Sequence, residues 1–259
     1  MPIDFHAPGN AGTYSGRTVD ADWSAAMRRI VDPAGSRVAD IGCGGGLYSL
    51  AWARLGAAAV VGVDFSPAMA GTAGRTVADL ANVTIRTGRA EATGLEGGSF
   101  DIVFERALIH HLPDLRPAFG EAWRILRPGG RLIVQDRTMA DVTAPPSPEH
   151  LRGHFFAAFP RLLAIEAERR PDHAAVDAAM RAAGFAGPDA FQLWETRRIY
   201  AGTDELAADL RERKGRSLLH ALDDAELEFL VDMVIRRLPV DGTIRERDRW
   251  TVWAAAKPI

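Results

Sequence analysis

The sequence contains very little cysteine and no long hydrophobic run. Cys43 is the single cysteine among 259 residues, so no disulfide can form within the chain. The most apolar stretch, near residues 55–63, is too short and too rich in glycine and alanine to cross a bilayer. The N-terminus also lacks the basic and apolar regions of a signal peptide. These absences predict a cytoplasmic protein that does not enter a membrane.

An excess of positive charge is also missing. Lys and Arg number 31 against 34 Asp and Glu, which gives a net charge of -3. General binders of nucleic acid or anionic membranes are usually basic. With 47% hydrophobic and 25% charged residues, the chain has an ordinary globular composition and is long enough to bury a core. We expect a small-molecule enzyme, monomeric or homodimeric, that binds no nucleic acid.

Predicted strands and helices alternate through the first half of the chain. Short apolar strands are expected at 37–41, 59–64, 83–87, 101–105 and 131–135. This alternation is typical of a Rossmann-like, doubly wound parallel sheet in an α/β fold. After residue 136, a proline-rich linker precedes predicted helices at 149–165, 172–183, 204–214 and 223–238. Two further strands are expected at 191–199 and 249–256.

A glycine-rich turn follows the first predicted strand. Residues 42–46 read Gly-Cys-Gly-Gly-Gly, and glycines allow a tight turn with close approach of the backbone to a ligand. Doubly wound sheets bind nucleotides at this place. The spacing does not fit the dinucleotide fingerprint, because Leu47 or Ser49 occupies the position of its last glycine. Asp40 would repel a pyrophosphate, whereas it suits a ligand with an ammonium and a sulfonium.

A second acidic residue ends the next predicted strand. The Asp64 carboxylate can accept hydrogen bonds from both hydroxyls of a ribose, and Phe65 beside it can cover an adenine ring. The alternatives are that Asp64 merely caps the following helix and that Phe65 belongs to the core. Dinucleotide enzymes use the same position, so Asp64 indicates a ribose and does not identify the cofactor.

Several segments together resemble the class I S-adenosylmethionine-dependent methyltransferases of the small-molecule type. They follow the family's order and lie at 39–46, 61–66, 88–91, 99–104, 108–113 and 126–132. The resemblance implies a seven-stranded sheet with an antiparallel last strand, and a helical lid or insert after the fifth strand. It also implies S-adenosyl-L-methionine as cofactor. We accordingly divide the chain into an N-terminal arm at 1–19, a cofactor-binding core at 20–136 and an acceptor-binding region at 137–259 whose last strands complete the sheet.

The resemblance also assigns cofactor contacts around the glycine turn. Asp40 and the backbone of Gly42 and Gly44 would line the methionine part, with Glu105 nearby. Cys43 is counted with these residues, as a small space-filler and not as a nucleophile. Asp64 would bind the ribose.

The expected adenine contacts lie in the segment 88–91. Ala90 and its neighbours would border the adenine. Arg89 departs from the family, since many relatives have an aspartate there that accepts from the adenine amino group, and arginine cannot accept a hydrogen bond. Backbone groups or Glu91 would then have to recognise the adenine.

Two adjacent histidines follow the fourth predicted strand. Either His110 or His111 can serve as a general base, because imidazole titrates near neutral pH, and His110 is the preferred candidate. The alternative is that one of them caps or packs against the cofactor loop. No metal site is expected, because adjacent histidines point apart on regular elements and no acid or cysteine cluster completes a ligand set.

Three other features have two interpretations each. Tyr14 and Arg17 belong to an arm that either folds over the cofactor, with Arg17 on its carboxylate, or is an ordered surface segment. The aromatic residues at 155–159 are core by default, although an aromatic acceptor would also explain them. The basic cluster at 211–216 is expected to be a solvated helix end, with a phosphate-bearing acceptor as the alternative.

Other functions remain compatible with the pattern. One is an enzyme that uses the same cofactor for cyclisation or rearrangement. Another is a non-catalytic cofactor-binding module. An NAD-dependent dehydrogenase is disfavoured by the glycine spacing and by Asp40.

Overall fold

A computed structural model describes residues 19–213, 215–239 and 242–259. Tyr14 and Arg17 therefore lie outside the described residues. Within these ranges the strands are β1 (Arg37–Ile41), β2 (Ala59–Asp64), β3 (Val83–Thr87), β4 (Phe100–Arg106), β5 (Leu126–Asp136), β6 (Ala186–Tyr200) and β7 (Ile244–Ala256). They form one seven-stranded sheet in the order β3-β2-β1-β4-β5-β7-β6. Neighbours among β1 to β5 are parallel, and β7 runs antiparallel between β5 and β6. The predicted doubly wound sheet with an antiparallel last strand is confirmed.

Helices cover both faces of the sheet and form most of the region between β5 and β6 and between β6 and β7. In the described part of the chain the α-helices are α1 (Ala21–Ile30), α2 (Leu47–Arg54), α3 (Pro67–Thr76), α4 (Leu115–Ile125), α5 (Met139–Val142), α6 (Arg152–Ala158), α7 (Leu162–Ala167), α8 (His173–Ala182), α9 (Thr203–Arg211) and α10 (Asp224–Ile235). Side chains that cap the first turn fix the starts of several helices. At the start of α1, the Asp20 carboxylate accepts from the backbone N–H of Trp23.

The single helix predicted over 149–165 is wrong. The structure has α6 and α7 there, separated by Phe159 and Pro160. Proline lacks a backbone N–H and disfavours helical conformation in the residue before it. Phe159 accordingly leaves the helix with φ -132° and ψ 80°.

Three apolar clusters form the interior. One lies under α4 and α8 on one face of the sheet, and a second lies under α1 and α2 on the other face. The third joins α6, α7, α9 and α10, and it includes Phe155 and Phe156. The core interpretation of these two phenylalanines is thus confirmed.

The basic cluster near α9 is not simply a solvated helix end. Arg216 is only 2% exposed, and its guanidinium pairs with Asp209 and Glu246 and donates to the hydroxyl of Tyr200. Arg211 and Arg213 pair with Glu228 and Asp224, respectively. Arg216 instead lies buried beside Tyr200 of the third apolar cluster, where a buried charge needs such partners.

The pairing of β6 with β7 continues far beyond the end of β5. Asp136, the last residue of β5, pairs with Thr251 of β7. Beyond that level β6 and β7 remain paired with each other as far as Tyr200 and Ile244. Both of these residues belong to the third apolar cluster. The helices α9 and α10 are therefore attached to a two-stranded extension of the sheet, which we call the β6–β7 ribbon.

Candidate functional site

The glycine turn lies at the carboxyl end of β1 and is bonded to β2. The backbone N–H groups of Gly42 and Cys43 donate to the carbonyl of Val63 at 2.7 and 3.1 Å. Gly42, Gly44 and Gly46 have φ of 71°, 53° and 82°, a region that residues with a side chain rarely adopt. The sequence therefore needs glycine here to shape the turn.

The Asp64 carboxylate is held directly beside this turn. Its Oδ2 accepts from the N–H of Gly44 at 2.9 Å, and its Oδ1 accepts from the N–H of Ser66 at 2.9 Å. The cap of α3 is Ser66, whose hydroxyl oxygen accepts from the N–H of Met69. The alternative that Asp64 is merely a helix cap does not account for the bond to Gly44, which joins the two loops.

Phe65 is not a core residue, because 45% of it is exposed. The core alternative for this side chain is therefore wrong. A large exposed apolar ring next to a buried carboxylate is compatible with a contact to a flat ligand group.

Two further carboxyls are buried at the ends of the central strands. Asp40 is 2% exposed and accepts from the Ser49 hydroxyl at 2.6 Å; burial raises the pKa of Asp40 to about 7. Glu105 is 1% exposed, and its Oε2 has no hydrogen-bond partner among the described residues. Burial, with a smaller contribution from Asp136, raises the pKa of Glu105 to about 8. A cation placed beside these two carboxyls would stabilise their ionised forms.

Cys43 lies inside the turn and is 7% exposed. Burial, followed by the nearby Asp40 and Asp64, raises the pKa of its thiol well above the usual range. A thiol without thiolate character is a poor nucleophile. The structure therefore fits a space-filling residue at this position.

Arg89 does not point into a buried pocket. About 70% of its side chain is exposed, and its guanidinium pairs with Glu91 at 3.2 Å. Ala90, between them, packs partly buried against the first apolar cluster. Arg89 and Glu91 thus pair with each other at the rim of the site, while Ala90 packs against the interior.

The two histidines lie on a short 3₁₀ turn, Ile109–His111, just after β4. The chain enters it through Ala107, whose φ of 50° is unusual for a residue with a side chain. His110 Nδ1 lies 2.8 and 3.0 Å from the two carboxylate oxygens of Asp136. With the proton on Nδ1, Nε2 keeps its lone pair, and no described residue bonds to it. A carboxylate that orients an imidazole in this way is the arrangement of a general base.

His111 is a different kind of group from His110. Their ring centroids are 4.0 Å apart, so the prediction that the two rings point apart is wrong. The reason is that both lie on one tight turn, not on a strand, where consecutive side chains alternate. Desolvation and the charge of His110 lower the pKa of His111 to about 4. His111 is therefore neutral at pH 7.

Asp136 and Arg170 are site residues that the sequence reasoning missed. Asp136 is fully buried at the end of β5 and accepts from His110, from the N–H of Arg137 at 2.7 Å and from Arg170 Nη1 at 3.0 Å. Burial would raise the pKa of Asp136, but His110 and Arg170 hold it well below the usual range. An acid ending an apolar strand, as in Asp64, was the signal for Asp136. Arg170 lies in the connection between α7 and α8 and has no such local signal.

A cavity of about 510 Å³ opens beside Arg170. One wall is formed by residues 138–140 after β5, and the other by residues 170–173 at the start of α8. Ala190, Gln192 and Thr251 contribute the sheet side. The cavity therefore lies within the region between 137 and 259, next to a guanidinium that contacts Asp136.

Among the described side chains, no group of three or more His, Cys, Asp or Glu is placed to hold a metal ion. In the same ranges, no helix combines the length and apolar character needed to span a bilayer.

Comparison with known proteins matches part of the chain to curated relatives. Residues 39–134 match the family model described as a methyltransferase domain. A ubiquinone biosynthesis O-methyltransferase from Xanthomonas axonopodis pv. citri is 37% identical over 106 residues, which are 40% of this chain and 44% of the relative. One from Rhizobium johnstonii is 40% identical over 108 residues, 40% of this chain and 43% of the relative. The chain spans less than half the length of these curated relatives.

Solved structures match the whole fold at low identity. Phosphoethanolamine N-methyltransferase 2 from Haemonchus contortus, in complex with S-adenosyl-L-methionine, has a TM-score of 0.62 and 19% identity, covering 100% of this chain and 61% of that one. Geranyl diphosphate C-methyltransferase from Streptomyces coelicolor, in complex with S-adenosyl-L-homocysteine, has a TM-score of 0.54 and 18% identity, covering 91% and 77%. Residues 39–134 of this chain therefore match a methyltransferase domain, and the chain shares the fold of these solved methyltransferases.

Proposed function

We propose that the chain binds S-adenosyl-L-methionine and transfers its methyl group to a small-molecule acceptor. The observation that carries this proposal is the Asp64 carboxylate, buried and fixed to the N–H of Gly44 at the joined ends of β1 and β2. The match of residues 39–134 to a methyltransferase domain supports it. So does the neighbour from Haemonchus contortus, which is described as a complex with that molecule.

The residues around the turn fit the parts of this cofactor. The Asp64 carboxylate accepts from the ribose hydroxyls, and charge-assisted bonds of this kind are worth about 1.5–3 kcal/mol each. The backbone of Gly42 and Gly44 lets the methionine part approach closely. Asp40 and Glu105 are buried carboxyls that favour the ammonium and sulfonium charges.

The adenine contacts follow from the rim of the same site. Phe65 offers an exposed ring on one side, and the backbone around Ala90 offers donors and acceptors on the other. Arg89 stays at the surface with Glu91. The adenine is thus recognised by shape and backbone groups, with Glu91 as the side-chain acceptor.

His110 is the residue that handles the acceptor's proton. When bound, the cofactor supplies an activated methyl group whose carbon–sulfur bond breaks as the acceptor atom attacks it. His110 Nε2 takes the proton from an acceptor O–H or N–H, while Asp136 holds the Nδ1–H side. The O-methyltransferase names of the curated relatives favour a hydroxyl acceptor, for which such a base is useful.

The region 137–259 provides the acceptor-binding elements in this proposal. Its cavity beside Arg170 has apolar walls at Met139, Ala140 and Ala190, and polar or charged side chains at Thr138, Asp172, His173 and Gln192. This mixture suits a largely apolar small molecule with a few polar groups.

Calorimetric titration tests the cofactor assignment. We expect S-adenosylmethionine and S-adenosylhomocysteine to bind with micromolar strength, about -8 kcal/mol, and NAD not to bind. Asp64→Ala is expected to weaken binding at least about 10-fold because the ribose diol loses its acceptor. Asp79→Ala is the matched control, since it removes the same charge from an exposed position. Unchanged affinity in Asp64→Ala would reject the ribose role.

A product assay separates methyl transfer from the alternatives. The wild-type chain is incubated with the cofactor and a panel of phenols, carboxylic acids and amines, and the products are identified by mass. A gain of one methyl group with release of S-adenosylhomocysteine supports the proposal. Loss of cofactor without a methylated product would indicate cyclisation or rearrangement, and binding without turnover of any substrate would indicate a binding module.

A further inference from the structure

We propose that Arg170 is a positioning residue that holds the Asp136–His110 pair in its working geometry. The inference rests on the proposed function only in naming His110 as the base. It adds a residue from the helical region, outside the matched domain, to the machinery at the end of the sheet.

Arg170 bridges two buried carboxylates. Its Nη1 lies 3.0 Å from Asp136 Oδ1, and its Nε lies 2.5 Å from Glu166 Oε2. The side chain is 3% exposed, and both carboxylate side chains are fully buried. Arginine presents its donors in a rigid fork, so two fixed partners lock the guanidinium. Its contact with Asp136 is thus a fixed part of the structure.

The contact between Arg170 and Asp136 affects His110 because it fixes the orientation of the Asp136 carboxylate. Asp136 Oδ1 accepts from Arg170, from the N–H of Arg137 and from His110 Nδ1. Its Oδ2 faces His110 alone, at 2.8 Å from Nδ1 and 3.3 Å from the backbone N–H. Arg170 therefore keeps the carboxylate plane aligned with the Nδ1–H of His110, which leaves the Nε2 lone pair available.

The surrounding charges make Arg170 the main compensating cation from the helical region. Glu105, on β4, repels Asp136. The charges of Asp136, Arg169 and Arg170 all act on the nearby His111. Arg169 pairs with Glu166 and reaches the hydroxyl of Ser217, but it has no bond to Asp136. Without Arg170, the buried Asp136 would keep the His110 ring and the backbone N–H groups of His110 and Arg137 as partners, which is unfavourable for a buried charge.

The bridge extends into the rest of the helical region. Glu166 lies 3.7 Å from Arg152 of α6, and Arg152 lies 3.4 Å from Asp248 of β7. Asp248 in turn pairs with Arg137 at 2.6 Å. Arg170 also lines the cavity proposed for the acceptor. A ligand in that cavity thus touches the same guanidinium that positions the base.

The experiment reads the tautomer of His110 by ¹⁵N NMR of the full chain, without cofactor or acceptor. The ring signals are assigned by their loss in His110→Gln, and spectra are taken at a pH where the imidazole is neutral. Wild type is expected to show the Nδ1–H form. Arg170→Met is expected to lose it, because a released Asp136 no longer selects this tautomer. Arg169→Met, which removes another arginine that pairs with Glu166, is the matched control and is expected to keep it.

Two further variants distinguish positioning from a simple loss of folding. Arg170→Lys keeps the charge and is expected to retain more of the Nδ1–H form than Arg170→Met. The double variant Arg170→Met with Glu166→Gln also removes the charge of the second carboxylate that Arg170 contacts, and it serves if the single variant does not fold. Folding is checked by circular dichroism and by S-adenosylhomocysteine affinity, which we expect to change less than about twofold.

A folded Arg170→Met, or the folded double variant, that retains the full Nδ1–H form would overturn the inference. An equal loss of the Nδ1–H form in Arg169→Met would overturn it as well. The tautomer would then respond to the removal of any nearby positive charge and not to the contact between Arg170 and Asp136. Because the readout needs neither cofactor nor turnover, its failure is distinct from a failure of the proposed methyl transfer.

Discussion

The buried carboxyl of Glu105 should make the protein less stable as the pH rises. In the folded state the pKa of Glu105 is raised from 4.5 to about 8 by burial and by Asp136. The unfolded chain therefore releases this proton at a lower pH than the folded chain does. Between these two values the folded state binds more protons, so the free energy of unfolding falls with rising pH. The penalty is absent well below the lower pKa and complete above the higher one.

Substitution by glutamine removes this titration while keeping the shape. From the two pKa values, the penalty of Glu105 grows by up to about 3 kcal/mol between about pH 5 and about pH 7.5. Glu105→Gln should therefore gain stability relative to wild type across that interval, by an amount approaching this limit. The gain does not depend on the cofactor, because both proteins are compared in its absence.

Urea denaturation at several pH values measures the effect. The quantity to follow is the difference in the free energy of unfolding between Glu105→Gln and wild type, with Glu96→Gln as control because Glu96 is exposed. The control difference should stay constant with pH. A Glu105→Gln difference that also stays constant would refute the reasoning, since it would mean that the carboxyl ionises normally in the fold.

Four other outcomes are expected. His110→Gln should lower turnover about 100-fold or more while changing cofactor affinity less than about twofold, measured by steady-state kinetics and calorimetry. Arg216→Met should lower the free energy of unfolding by about 3–5 kcal/mol in urea, because it leaves buried carboxylates unpaired. Gly46→Ala should destabilise, since its Cβ would lie 3.0 Å from Ala73 at a φ of 82°, whereas Gly74→Ala in α3, with open space, should stabilise by up to about 1 kcal/mol in the same assay. S-adenosylmethionine binding near pH 7 should release protons from the buried carboxyls, seen as a buffer-dependent heat; equal heats in buffers of different ionisation enthalpy would contradict this.

The sheet could be predicted because its signals are local. The strands β2, β4 and β5 contain apolar runs and end in a polar residue, and glycines mark the turn that follows β1. Asp64 and the turn were found in this way, and they do meet through the N–H of Gly44. The antiparallel last strand came from the family resemblance and from two late strand candidates.

What the sequence could not provide depends on contacts between distant segments. Arg170 approaches Asp136 only because the chain returns to the end of β5 after α7, and the 33 residues between them carry no periodic signal for this. Pro160 indicated a break between α6 and α7, but the apolar pattern on both sides favoured one continuous helix. The short distance between the His110 and His111 rings required the turn geometry itself.

The β6–β7 ribbon separates the helices α9 and α10 from the edge of the sheet that carries the glycine turn. Its strands stay paired well beyond the level of Asp136, and the chain between Tyr200 and Ile244 carries α9 and α10 at its far end. Because the insertion begins and ends on adjacent, hydrogen-bonded strands, its length and sequence can change without moving β1, β2 or the glycine turn. The ribbon is thus a natural grafting point: exchanging the segment between residues 200 and 244 for that of a protein with the same sheet order is a direct route to a chimera with the same glycine turn and different helices.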